Sequence, residues 1–187
     1  LTLNGYMLEH FRDDKSGGFY FTADDGEVLL IRQKEIYDGA IPSGNSIAML
    51  NLLRLGRITA APVLEERAAG VSRAFLGKVR QMPSAYTQLM MAVNFVVGPS
   101  YEVVITGDRG AADTGEMLQA IRRRFLPNKV VVFLPAGPWS SEIKRLAPFT
   151  TRHAMINGKA TAYVCSNYEC KLPATDTAEM LSLLGSP

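Results

Sequence analysis

Leu64, Ala68, Val71, Phe75, Val79 and Met82 recur at steps of three and four, while Glu65, Glu66, Arg67, Arg73 and Lys78 take the opposite side. That spacing predicts an amphipathic helix from Pro62, a favoured first-turn residue, to the stop at Pro83. Before it, Ile47 to Leu55 is apolar except for Asn51 and Arg54, which predicts a helix buried on most sides and ending at Gly56. After it, Tyr86, Leu89, Met90, Val93 and Val97 mark a third helix, again apolar nearly all round. An inner, outer, inner alternation predicts antiparallel helical hairpins. Upstream, Leu3 to Phe11 reads as the end of a helix stopped by the polar turn Asp13 to Gly18. Phe19 to Thr22 and Val28 to Ile31 flank Ala23-Asp24-Asp25-Gly26-Glu27, which predicts a short hairpin with Asp24 and Asp25 at its tip.

At Gly98-Pro99 the period changes. Tyr101 to Gly107 and Lys129 to Leu134 are β runs without alternation, separated by an amphipathic helix over Asp113 to Phe125. A βαβ unit with buried parallel strands follows from that order. Ser141 to Leu146 predicts a further helix, Ala160 to Cys165 a third strand, and Thr175 to Leu184 a closing helix capped by Thr175 or Asp176. The expected fold class is therefore α+β, with helical hairpins over 1–98 followed by a small α/β domain over 99–187 whose sheet is mostly parallel.

Composition narrows the function classes. At 187 residues and 47% hydrophobic content, one good core or two small ones can be buried. A net charge of +2 with dispersed basic residues gives no footprint for nucleic acid, so none is expected as a partner. No apolar run has the length of a membrane span, so no membrane partner is expected, and a cytoplasmic location is. The chain starts at Leu1 inside an apparent helix, as the carboxy-terminal part of a longer parent would.

The densest chemistry lies in Lys34 to Ser46, just before the first inner helix. Pro42 and Gly44 shape a turn there, and Ser43 or Asn45 can cap the helix. Polar groups this dense beside a core helix predict a pocket wall, carrying Lys34, Glu35, Tyr37, Asp38, Ser43 and Asn45. The bland alternative is that these carboxylates tie down backbone N–H groups and that Lys34 neutralises Glu35. Cys165 and Cys170 form the second constellation, with four residues between them, which permits a local disulfide with redox activity, two metal ligands, or two reduced core thiols. Gly107-Asp108-Arg109-Gly110 lacks both the dinucleotide fingerprint and the Walker lysine, so no cofactor is expected. His10 and His153 stand in no catalytic motif, and Arg122-Arg123-Arg124 reads as a solvated helix face.

Lys34-Glu35-x-x-Asp38-Gly39-Ala40-x-Pro42-Ser43-Gly44-Asn45-Ser46 with Asn51-Leu52-Leu53-Arg54-Leu55 resembles the carboxy-terminal part of the DUF255 proteins. These are the thioredoxin-domain-containing family with YyaL-type and spermatogenesis-associated protein 20-like members. Gly17-Gly18-Phe19-Tyr20 and Tyr163-Val164-Cys165 through Cys170-x-x-Pro173-x-Thr175-Asp176 carry the same resemblance, so it covers nearly the whole chain. The resemblance implies that residues 1–98 end a partial (α/α)6 toroid of the six-hairpin glycosidase-like kind. It places Glu35 and Asp38 at the toroid mouth as the candidate acid–base pair, with Lys34, Tyr37, Ser43 and Asn45 as candidate substrate-binding groups facing a carbohydrate-like small molecule. It also implies an amino-terminal thioredoxin-like domain as a partner, with thiol exchange at Cys165 and Cys170 or a purely structural role as the alternatives. Sugar epimerases of that toroid class use histidines that this chain does not match, so their mechanism does not transfer.

Overall fold

The computed structural model describes residues 1–166 and 169–185. The chain divides into two compact units, Leu1–Gly56 with Pro62–Val96 and Arg57–Ala61 with Val97–Pro187.

The first unit is helical: α1 spans Thr2–His10, α2 Gly44–Thr59, α3 Pro62–Gln81 and α4 Thr87–Val97, with a 3-10 turn at Pro83–Ala85. The last turn of α2 falls in the second unit. On α3 the buried side chains are Leu64, Ala68, Val71, Phe75 and Val79, the stripe that the three-and-four spacing describes except for Met82, which lies past the helix end and is exposed. α2 continues a turn beyond Gly56, which is buried inside the helix, and its end is marked by Ala60 in the left-handed region at φ 52°. α4 buries Leu89, Ala92 and Phe95 but exposes Met91, Val96 and Val97, so it is not apolar-packed all round. The expected hairpin over Phe19 to Ile31 does not form. Asp24 and Asp25 turn to α1 instead, where they meet His10 and Tyr6, and Arg32 donates to the carbonyls of Thr22 and His10. Phe21 N donates to Gln33 O, just past the second arm, and Val28, Leu30 and Ile31 lie exposed.

The second unit holds β1 (Tyr101–Gly107), α5 (Ala112–Arg123), β2 (Lys129–Pro135), α6 (Ser140–Leu146), a 3-10 turn (Pro148–Arg152), β3 (Thr161–Ser166), β4 (Glu169–Cys170) and α7 (Thr177–Leu183). Its four-stranded sheet has the order β2-β1-β3-β4. β1 and β2 are parallel, with Tyr101 opposite Lys129 and Gly107 opposite Pro135, whereas β1 with β3 and β3 with β4 are antiparallel. This corrects the expected fold class: the described residues form seven α-helices and a mixed four-stranded sheet, an α+β chain, rather than part of a six-hairpin toroid followed by a mostly parallel layer. The physical reason lies ahead of β3. Asn157 and Gly158, at φ 52° and 70°, make a tight reversal closed by the Ile156–Lys159 bridge, and the chain enters β3 running against β1. One sheet face packs Val103, Ile105, Ala162 and Val164 against Met117, Ile121 and Met180; the other packs Val104, Val132 and Leu134 with Ile143, Phe149 and Tyr163. Asp176 caps α7 by accepting from Ala178 N and Glu179 N.

Candidate functional site

The polar stretch before α2 folds into a clamp. Ser43 is the N-cap of α2, its Oγ accepting from Ser46 N at 3.1 Å and donating to Ser46 Oγ at 2.9 Å. Ser46 Oγ passes the chain on to Asp38 Oδ2 at 3.0 Å. Asp38, 8% exposed, also accepts from Ser43 N at 2.9 Å and from Leu89 N at 3.0 Å, and its own N–H donates to Ala85 O. Leu89 N belongs to the first turn of α4, whose N–H groups have no partner inside the helix. One carboxylate thus serves the start of two helices, where an anion is also favoured by the helix dipoles.

Asn45 does a similar task at full capacity. Its Oδ1 accepts from Phe19 N at 2.7 Å, and its Nδ2 donates to Phe19 O and Glu35 O, both at 2.8 Å. Lys34 is held on the other flank, donating to Asp13 Oδ2 at 2.7 Å, Ser16 Oγ at 2.6 Å and Gly17 O at 2.9 Å. Lys34, then the Ser16 hydroxyl and the amides of Ser16 and Lys15, hold the Asp13 carboxyl far below the ordinary carboxylate range. Glu35 and Tyr37 are exposed, and the Tyr37 ring lies over Gly39.

Of the six residues singled out in this stretch, Asp38, Ser43 and Asn45 therefore meet around backbone groups. Lys34 is drawn to Asp13, which sequence reasoning passed over as a turn residue, and Glu35 and Tyr37 stand on the surface. The Asp13-x-x-Ser16-Gly17-Gly18 pattern was a usable signal: an aspartate three residues before a serine and two glycines is a side chain that folds back on its own turn. Asp38 has its carboxylate oxygens occupied by donors, which suits an anchor better than a general acid or base.

Among the described residues, His10, Asp24 and Asp25 form a group of three side chains able to hold a metal, with ligand atoms within 4.8 Å of one another. Internal bonds account for the set: His10 Nδ1 lies 2.8 Å from Asp24 Oδ1, and Tyr6 OH donates to Asp25 Oδ2 at 2.8 Å. The hydrogen bond to Asp24 raises the His10 pKa above its ordinary value. His153, by contrast, is pushed below it by burial and stands edge-on to Tyr163 at 4.2 Å between ring centres.

Cys165 and Cys170 are joined by a disulfide across the β3–β4 pair, where they sit opposite one another. Asn167 and Tyr168 between them lie outside the described residues. Cys165 is buried and Cys170 exposed, because β4 is a two-residue strand at the sheet edge. Glu102 is the residue of β1 opposite Cys165, and it takes Arg57 Nη1 at 2.7 Å in a nearly buried ion pair. Neither member of that pair was legible as a partner in the sequence.

No protein-family model matches the chain. It is 35% identical to human spermatogenesis-associated protein 20 over 175 residues, or 93% of this chain. The chain is similar to that protein along nearly its whole length. The rat protein of the same name is 33% identical over 185 residues, 98% of this chain, and the mouse protein 33% identical over 175. The chain spans only 22 to 23% of the length of these relatives, so the likeness concerns one region of each of them.

Proposed function

We propose that the chain is a region of a longer DUF255-type protein and that its α+β unit is a thiol-exchange module, with Cys165 and Cys170 passing electrons to and from a thioredoxin-like domain of the same parent. The observation that carries this is the asymmetry of the bond, one sulfur buried and one exposed at the sheet edge. An incoming thiolate can reach Cys170 Sγ. Attack there breaks the S–S bond and expels the Cys165 thiolate, which takes a proton; the donor's second thiol then resolves the mixed disulfide, leaving two cysteine thiols here and a disulfide on the donor. As a staple the bond does little, since closing a loop of this length stabilises a fold by roughly 2 kcal/mol, against about 4.7 for a loop of about a hundred residues. In a cytoplasmic setting, which is part of the proposal, a persistent disulfide is the exception and a redox-active one the rule.

The test is equilibration of the chain in glutathione and dithiothreitol buffers, followed by alkylation and intact-mass analysis. Half-reduction above about −250 mV is expected, together with capture of the wild-type chain by a thioredoxin-type domain that keeps only its attacking cysteine, whose thiolate bonds Cys170 Sγ and releases the Cys165 thiolate. A bond that survives below about −300 mV would make it a structural staple and end the proposal.

A second reading concerns the helical unit. The carbohydrate expectation rested on Glu35 and Asp38 as acid and base; with Asp38 committed to backbone groups, binding of a small polar ligand without chemistry on it fits better. A polar-walled cleft of about 260 Å³ between the 12–19 turn and α3 favours it. Titration with a panel of neutral monosaccharides and their phosphates, watched by amide NMR, tests it: shifts confined to the cleft support it, and none at any concentration ends it.

A further inference from the structure

We propose that this cleft is an anion site that takes a phosphate group, either inorganic phosphate or the phosphate of a small ester. The proposal deepens the ligand-binding reading of the helical unit and does not involve the disulfide.

The floor of the cleft is where two backbones touch. Gly17, at φ 76°, approaches α3 so closely that a Cβ on it would lie 2.6 Å from Gly70 O, and Gly18 follows at φ 74°. Two consecutive left-handed glycines let the turn fold flat against the helix, where a side chain at either position would fill the gap. From α3, Arg67 and Arg73 flank Gly70 at i−3 and i+3, so all three share one face. The Arg73 guanidinium lies back over Gly70, its Nη2 3.9 Å from the position of a Gly70 Cβ. From the turn come Arg12 and Lys15.

Four cations thus face three carboxylates, Asp13, Asp14 and Glu66, and two of those are spent. Asp13 is held by Lys34, which is not part of the wall, and Asp14 pairs with Arg12 at 2.7 Å. The excess positive charge belongs to Arg67, Arg73 and Lys15, which line the cleft and take part in no ion pair among the described residues. Protein surfaces usually balance such groups by ion pairs; here three of them line one cleft whose own acids are mostly taken. Planar guanidinium forks suit the tetrahedral oxygens of a phosphate, which two arginines grip better than they grip a monovalent carboxylate. A neutral sugar would meet donors with few acceptors to complement its own hydroxyls. The exposure of Arg67 and Arg73 makes the site salt-sensitive.

The experiment is calorimetric and NMR titration of the whole chain at low ionic strength with inorganic phosphate, glucose 6-phosphate and glucose. One saturable phosphate per chain is expected. Arg67→Gln and Arg73→Gln should each weaken it by about tenfold or more, while their unfolding midpoints without ligand stay at the wild-type value, both side chains being surface groups. Arg122→Gln and Arg123→Gln, on the basic face of α5, should leave it unchanged. Tighter binding of glucose 6-phosphate than of phosphate identifies an ester as the ligand, and equal binding identifies the free anion. Absence of saturation by either phosphate, or equal losses from the α5 variants, overturns the site. Glucose binding that ignores Arg67 and Arg73 overturns it too, yet spares the broader reading that this unit binds small polar molecules.

Discussion

Replacing Asp38 with alanine separates an anchor from a catalytic group. The substitution removes the acceptor for Ser43 N, Ser46 Oγ and Leu89 N at once. Ser46 Oγ can turn back to another acceptor, so its loss is small. Ser43 N and Leu89 N lie on buried residues and have no such freedom, and each unsatisfied buried N–H costs about 1–3 kcal/mol. Loss of an anion from the starts of two helices adds roughly 0.5–1 kcal/mol. The sum for Asp38→Ala is a destabilisation of about 2.5–7 kcal/mol, a large part of the ~5–15 kcal/mol that holds a typical domain together. Asp38→Asn keeps one carbonyl oxygen and presents N–H where Leu89 N needs an acceptor, so about 2 kcal/mol is expected. Glu35→Ala, at an exposed position, should fall within about 0.5 kcal/mol of wild type. Urea unfolding followed by far-UV circular dichroism gives the three values, and hydrogen exchange of the peptides around Ser43 and Leu89 localises the loss. An Asp38→Ala chain within about 1 kcal/mol of wild type, with protection at Leu89 intact, would refute the clamp.

Three further outcomes follow from the same unit. Gly17→Ala meets both a left-handed backbone and Gly70 O at 2.6 Å, so it should destabilise by more than about 1 kcal/mol, whereas Gly77→Ala, on α3 with open space at its Cβ, should stabilise by about 0.5–1 kcal/mol; equal effects in thermal unfolding would contradict the close approach. Because the Asp13 carboxyl is depressed chiefly by Lys34, its contribution to stability is complete above the unfolded value near ~3.9 and is lost as pH falls through the folded one; Lys34→Met should raise the Asp13 pKa seen by carboxyl NMR, and an unmoved titration would disprove the pairing. His10 is shifted the other way by Asp24, so its contribution is present below ~6.5 and fades as pH rises through the folded pKa; Asp24→Asn should bring the imidazole titration back toward ~6.5, and no change would show that the 2.8 Å contact has no electrostatic weight.

The helices were legible because burial imposes their period. Leu64, Ala68, Val71, Phe75 and Val79 are buried at the spacing that marked them, and β1, α5 and β2 follow the shift from period 3.6 to unbroken apolar runs. Strand direction was not legible, because β3 has the same composition whether it runs with β1 or against it; only the left-handed turn at Asn157 and Gly158 decides, and Asn-Gly there was passed over. The hairpin over Phe19 to Ile31 failed for a long-range reason. An Asp-Asp-Gly turn competes with Tyr6 and His10, 19 and 14 positions away, and side-chain bonds to α1 won, with Arg32 tied to His10 O as well. In the candidate site the residue types were found but not their assignments, since Asp13, Lys34 and Asp38 choose partners 21 to 51 positions away.

Polar density beside a core helix has two physical origins, and the 34–46 stretch shows how to tell them apart. A pocket wall points its donors and acceptors at a shared volume and leaves some unfilled. A clamp consumes them: Asn45 spends both ends of its amide, and Asp38 both oxygens, on backbone and hydroxyl groups already in place. Every such bond compensates for a backbone group that burial would otherwise leave without water. By the same criterion the 12–19 turn is different, since after Lys34 and Arg12 have taken its acids it still gathers Lys15, Arg67 and Arg73 around a recess with no carboxylate to spare but Glu66. The stretch with the most chemistry in its sequence is thus the scaffold, and the place where that scaffold leaves charge uncompensated is the turn it holds down.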